Sequence, residues 1–238
     1  MGVQLDGTSN QNIKWTTPGA SIIGLTQKTI FTWFYYTAVP VTSFGTIWAI
    51  VRSASPHETT VLLHPSSHLQ KLAFTALWST ADGAWRTTSD QFTAGNLYQA
   101  AVTYDGGSTS NDPVIYINGA SVAVTEITAP TGTYQVGSVS DLYIGTPLTP
   151  PNSNILSLCY YNRILSAVEI AEAYATRKAI PSLRGLVWAP VLWGASGLQT
   201  FDGATLTSSN KIRDLLSGIE GTPNNSPVGR GDTYLKVR

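Results

Sequence analysis

The stretch Val114-Ile115-Tyr116-Ile117, Asn118-Gly119, Ala120-Ser121-Val122-Ala123-Val124 constrains the fold more than any other part of this chain. Asn-Gly supplies the two consecutive positive φ values of a type I′ turn, whose twist matches that of the strands it joins. An antiparallel hairpin is therefore predicted here. The same texture, short β-prone runs parted by Gly, Pro, Asn and Ser, recurs along the sequence. It marks Ile30–Tyr36, Thr46–Val51, Thr59–Leu63, Lys71–Trp78, Tyr98–Tyr104, Val114–Ile117, Ser121–Thr125, Asp141–Ile144 and Ile155–Tyr161. Runs of that length and spacing predict an all-β fold, a two-sheet antiparallel sandwich.

One segment reads as helix. Ser166 is placed to cap it, Glu169 three residues on completes a capping box, and Leu165 with Ile170 occupies the two staple positions. Ile170, Ala173 and Tyr174 then form an apolar stripe at i, i+3, i+4, and Pro181 bars continuation beyond Lys178.

A chain of 238 residues is long enough to bury a core without disulfides, and its single cysteine, Cys159, sits among Ile155, Leu156 and Leu158 as a buried thiol would. Only 12% of residues are charged, net charge is zero and no block of like charge occurs, so nothing draws a nucleic-acid backbone. The apolar runs are too short to span a bilayer, no basic stretch followed by an apolar run opens the chain, and Asp6 stands where a myristoylation signal needs Ser or Thr. The expectation is a protein with no membrane partner, made in the cytoplasm.

Past Pro181 the texture changes. Arg184 to Gly194 is apolar and carries Trp188 and Trp193, whereas Thr205 to Asp232 is rich in turn residues. The expected division is residues 1–180 as the sandwich and 181–238 as an arm or permuted segment, packed on that sandwich or on a neighbouring subunit.

Several segments, in order, resemble the laminin-G-like, concanavalin A-like jelly-roll family. They are Leu5-Asp6-Gly7-Thr8-Ser9-Asn10, Thr29-Ile30-Phe31-Thr32-Trp33, Ala101 to Gly106 with Ile115 to Gly119, and Leu142-Tyr143-Ile144-Gly145 with Tyr161 to Ile170. The resemblance covers residues 3 to about 178. It implies a sandwich of antiparallel strands used for glycan binding and adhesion, in some members with calcium. One departure stands out. A segment that precedes these strands in many relatives is resembled here at the other end, from Gly185-Leu186-Val187-Trp188 through Arg213 to Thr222. A circular permutation, an arm completing a neighbour's sandwich and chance similarity in a glycine-rich tail all account for it.

Catalytic patterns are scarce. The carboxylates that glycosidic cleavage needs are not spaced along any strand as Glu-x-Asp-x-x-Glu, and Glu169 and Glu172 fall on the predicted helix. His57, His64 and His68 lie close in sequence but without a metal-ligand spacing, and Gly194-Ala195-Ser196-Gly197 misses the nucleophile-elbow pattern. The chain is therefore expected not to be an enzyme. Two binding sites are candidates. Asp105 and Asp112 flank a loop of Gly, Ser, Thr and Asn whose oxygens suit calcium, though any hairpin loop has that composition. Trp78 and Trp85 flank a second loop and would either stack on a sugar or clasp the hairpin by cross-strand packing. Arg230-Gly231-Asp232 spells an integrin-binding tripeptide that chance readily produces.

Three functional readings follow. A weakly charged, Thr- and Ser-rich surface, a domain opening near Met1 and an arm-like tail suggest a structural or adhesion protein of a virus surface, such as a phage decoration, turret or fibre-associated protein. Its partners would be other virion proteins, itself as a homo-oligomer, and host glycan. A glycan-binding lectin-like module is the alternative, and a glycoside hydrolase the third.

Overall fold

The computed structural model describes residues 2–6, 11–16, 18–37, 45–52, 57–63, 70–135, 140–145, 152–190, 212–213, 216, 220–224 and 228–230. The strands are β1 (Gly2–Asp6), β2 (Asn12–Trp15), β3 (Gln27–Tyr36), β4 (Gly45–Arg52), β5 (His57–Leu63), β6 (Leu72–Ala76), β7 (Gly83–Thr87), β8 (Asn96–Asp105) and β9 (Val114–Ile117). They continue with β10 (Ala120–Val122), β11 (Val124–Thr128), β12 (Ser140–Ile144), β13 (Asn152–Tyr161), β14 (Leu186–Trp188), β15 (Ile212–Arg213), β16 (Glu220–Asn224) and β17 (Val228–Arg230). Two helices, α1 (Ala20–Ile23) and α2 (Ala167–Ala175), complete the set.

Among the described residues all strand pairings are antiparallel and build two sheets. The first runs β10-β9-β8-β3-β13-β1-β17, with β14 also on β13; the second runs β11-β7-β6-β5-β4-β12-β2-β16-β15. The fold is thus the antiparallel sandwich the strand pattern predicts. Between the sheets lies one core, with Leu5, Trp15, Phe34, Trp48, Phe74 and Tyr104 among its members. A second cluster, including Phe31, Trp33, Leu156, Tyr161 and Ile170, lies where α2 covers the outer face of the first sheet. This second layer explains two sequence textures. In β7, Gly83, Trp85 and Thr87 are buried while Ala84 and Arg86 are only partly so, the alternation of a one-sided strand. β13 is buried on nearly every residue from Ile155 on, because it has a sheet on one side and a helix on the other.

The hairpin turn at Asn118-Gly119 has φ of +51° and +82°. A Cβ at Gly119 would also stand 2.9 Å from the Tyr174 Cβ, so α2 and the turn fit only with glycine there. Beyond the hairpin the single run Ser121–Thr125 divides at Ala123. β10 stays in the first sheet and β11 crosses to β7 of the second, a change of sheet that β propensity does not register.

Ser166 caps α2 as predicted: its Oγ accepts from the Glu169 N–H at 3.2 Å, and Glu169 Oε2 accepts from the Ser166 N–H at 2.9 Å. The helix ends before Pro181 takes effect. Arg177 turns left-handed at φ +55°, and the N–H groups of Lys178 and Arg177 donate to the carbonyls of Ala173 and Tyr174, closing a Schellman-type end without glycine. Cys159 is buried, its thiol 3.5 Å from the Ala179 carbonyl.

Arg163 ties α2 to the sheet through a bidentate pair with Glu169, at 3.0 and 2.5 Å, and a 2.9 Å bond from Nε to the Arg184 carbonyl. Those hydrogen bonds from Arg163, helped by Ser166, hold the Glu169 carboxyl at about 2. A carboxyl depressed below its unfolded value of ~4.3 stabilises the fold above that pH and loses the contribution as pH falls toward about 2. The difference in urea midpoint between the wild type and Glu169→Gln is expected to be constant above pH ~5 and to shrink steadily below ~4. A difference that stays the same at low pH would show that the carboxylate charge contributes nothing.

The segment after Pro181 pairs with both sheets of its own chain. β14 lies on β13, β16 on β2 and β17 on β1. Leu186 and Trp188 are buried, Trp188 between the sheets and Leu186 beneath α2.

Candidate functional site

Three loops, 77–82, 106–113 and 129–135, meet at one end of the sandwich and carry the residues singled out from sequence. Isolated bridges join Trp78 to Tyr134 and Ala81 to Thr131, and the Ser79 N–H donates to the Thr133 carbonyl at 3.0 Å. Gly106 lies so close to the Tyr134 ring that a Cβ there would fall 2.8 Å from it.

Trp78 and Trp85 are brought to this end, but as its inner wall. They are 5% and 1% exposed, so neither offers a ring face to a sugar, and the stacking expectation is corrected in favour of packing. The cause is the inward alternation of β7 and the position of Trp78 beneath Tyr134. Trp85 packs on Phe74 and Tyr104 with ring centres 6.0 and 5.4 Å apart, and Trp78 lies 5.3 Å from Tyr134. Both indoles find acceptors, Trp85 Nε1 donating to Asp112 Oδ1 at 2.7 Å and Trp78 Nε1 to the Tyr104 hydroxyl at 3.2 Å. Burial pushes the Tyr104 phenol far up, the Trp78 hydrogen bond opposing it in part, so the hydroxyl stays protonated.

The two carboxylates proposed for calcium shape the loop between them. Asp105 Oδ1 accepts from the Gly107 N–H at 2.8 Å and its Oδ2 from Gln27 Nε2 at 2.9 Å, while its carbonyl accepts from Asn111 Nδ2 at 3.1 Å. Asp112 faces solvent but turns one oxygen inward to Trp85. Among the described residues no three His, Cys, Asp or Glu side chains form a metal-binding group, and Asp105 and Asp112 each give a carboxylate oxygen to a donor of the protein. His57 opens β5, but its side chain, His64 and His68 lie outside the described residues, as do Gly194–Gly197 and Gly231-Asp232.

Sequence reasoning missed three members of this end. Lys28 is 1% exposed; its ammonium donates to the Tyr134 hydroxyl and sits 4.9 Å from the centre of that ring. Asp82 Oδ1 accepts from the Trp78 N–H at 2.9 Å. Lys28 and Tyr134 are 106 residues apart, a separation that no local pattern spans. Outside this aromatic scaffold, Thr80, Asp82, Ser108, Thr109, Ser110 and Asp112 are exposed. They form a rim of hydroxyls and carboxylates able to give and accept hydrogen bonds, set on buried, mutually packed rings.

Glu169 and Glu172 both lie on α2. Glu169 is held by Arg163, and Glu172 pairs with Lys178 at 2.6 Å.

No curated protein matches the sequence. Among solved structures, a putative carbohydrate binding protein from Bacteroides ovatus superposes with a TM-score of 0.64 at 15% identity, over 100% of this chain and 63% of that one. A heptameric SAP-like pentraxin from Limulus polyphemus superposes with a TM-score of 0.52 at 13% identity, over 72% of this chain and 80% of that one. Trypanosoma rangeli sialidase gives 0.51 at 14% identity, over 73% of this chain but only 27% of its own. This chain thus spans less than two thirds of the Bacteroides protein and about a quarter of the sialidase, and at such identities the likeness is one of fold. A family model, Laminin_G_3, matches residues 6–171, most of the chain, in agreement with the two-sheet architecture and the capped helix after β13; the protein belongs to the concanavalin A-like lectin/glucanases superfamily.

Proposed function

We propose that this chain is a non-catalytic glycan-binding module that adheres to carbohydrate. The observation that carries the reading is the rim of exposed hydroxyls and carboxylates on a buried aromatic scaffold, in a chain of lectin-type fold. Such a rim matches a ligand built of hydroxyl groups, which needs donors and acceptors in fixed places more than it needs apolar area. Of the two glutamates weighed for cleavage, Glu169 is paired with Arg163 and Glu172 with Lys178, which supports binding without cleavage.

A glycan array probed with the full chain is the test, followed by the affinity of a Thr109→Ala, Ser110→Ala double variant for whichever glycan binds. Two lost hydrogen bonds at ~1 kcal/mol each weaken binding by about 30-fold. An array with no bound glycan would sink the reading, and release of reducing sugar from a bound glycan would replace it with a hydrolase.

For the setting, we read the module as a component of a virus surface, in contact with itself or with other virion proteins. The exposed edge strand β11 and the exposed apolar side chains of Ile127, Val168 and Leu183 support contacts between copies. Native mass spectrometry is expected to show a closed homo-oligomer. A strict monomer leaves the glycan-binding reading intact and removes this one.

A further inference from the structure

Six of the seven tryptophans are described, and their indole N–H groups divide into two sets. Trp33, Trp78 and Trp85 donate to the Lys178 carbonyl, the Tyr104 hydroxyl and Asp112, at 2.8, 3.2 and 2.7 Å. Trp15, Trp48 and Trp188 are all fully buried at 0% exposure, and none of their three N–H groups meets a protein acceptor.

These three belong to one place. Trp188 on β14 faces Tyr160 of β13 in register, and its ring meets Trp15 of β2 edge to face, centres 4.9 Å apart at 88°. Trp48 of β4 packs on the Tyr160 ring, also at 4.9 Å. Strands of both sheets therefore contribute a continuous aromatic group between the sheets.

Buried donors are almost always satisfied, because an indole N–H taken from water and given nothing in return destabilises the fold. An edge-to-face pair satisfies at most one of its two N–H groups, weakly, through the partner's π face. At least two donors remain. All are neutral donors at 0% exposure, where a buried anion would lack a counter-charge, so an uncharged oxygen acceptor suits them. We propose that the inter-sheet core around Tyr160, where Trp15, Trp48 and Trp188 gather, binds ordered internal water, which accepts from these indoles and completes the packing of Trp188 against Trp15.

Water suits the place because one molecule accepts from two donors and passes its own protons on to carbonyl or hydroxyl oxygens, as internal waters do. The test is a crystal structure of the full chain at ~1.5 Å, where such water is expected within ~3.2 Å of Trp48 Nε1 and of at least one of Trp15 Nε1 and Trp188 Nε1. Side-chain carbon alone around the three nitrogens would overturn the proposal, and so would a protein oxygen within that distance of each. In solution, the Trp48 indole N–H is expected to show a direct cross-relaxation peak with water, and that of Trp33, bonded to Lys178, none. Glycan binding enters neither measurement, so the proposed function stands or fails separately.

Discussion

A chain ending at Lys178 is expected to lose cooperative unfolding altogether, giving no sigmoidal urea transition and no near-ultraviolet circular dichroism. The truncation removes Trp188, which is fully buried against Trp15, and the strands paired with β13, β1 and β2. It also removes the Ser182 carbonyl that accepts from the Tyr161 hydroxyl at 3.0 Å and the Arg184 carbonyl that accepts from Arg163. Loss of one buried tryptophan costs ~3–5 kcal/mol, against a typical domain stability of ~5–15 kcal/mol. Two newly opened sheet edges and an uncovered Trp15 add to that and favour aggregation. A truncated chain that unfolds cooperatively as a soluble monomer would mean that the tail only decorates a body able to fold alone. The mass of the intact chain bears on the same point: β14, β16 and β17 pair within one chain, so oligomerisation, where it occurs, need not use the tail.

Trp85→Ala is expected to destabilise the fold by ~3–5 kcal/mol, a loss read directly from the urea midpoint. Trp85 fills the space between Phe74, Tyr104 and Gly83, whose Cα lies so near the indole that a Cβ there would stand 2.1 Å from it. Asp112→Ala leaves the ring but strands its N–H, an expected cost of ~1–3 kcal/mol. In the double variant the second loss is expected to be smaller than when made alone, because an absent indole leaves no donor stranded. A Trp85→Ala protein of nearly unchanged stability but weakened glycan binding would instead make the ring an exposed platform, against its burial here.

Two elements show how much of this was legible locally. The Asn118-Gly119 turn and the Ser166–Glu169 capping box came out as predicted, because both are closed within a few residues. For Trp78 and Trp85 the sequence left a sugar platform and a packed ring both open, because a tryptophan beside a polar loop reads alike whether its ring faces solvent or a neighbouring sheet. The decision lay with Tyr134, Tyr104 and Asp112, on other strands and loops. Asp105, at the end of β8, and Asp112 flank a loop as their places in the sequence suggest, but two of their partners, Gln27 and Trp85, are distant in sequence.

The sequence by itself determined the class of fold, its hairpin, its capped helix and its family, since strand texture, turn chemistry and caps are short-range properties of residue type. Tertiary structure alone decided that β10 and β11 part to opposite sheets, that the tail strands join their own sandwich, and that three indoles meet between the sheets without a protein acceptor. These features depend on which residues far apart in the chain compete for the same buried space, and that competition is settled only when both sheets are packed.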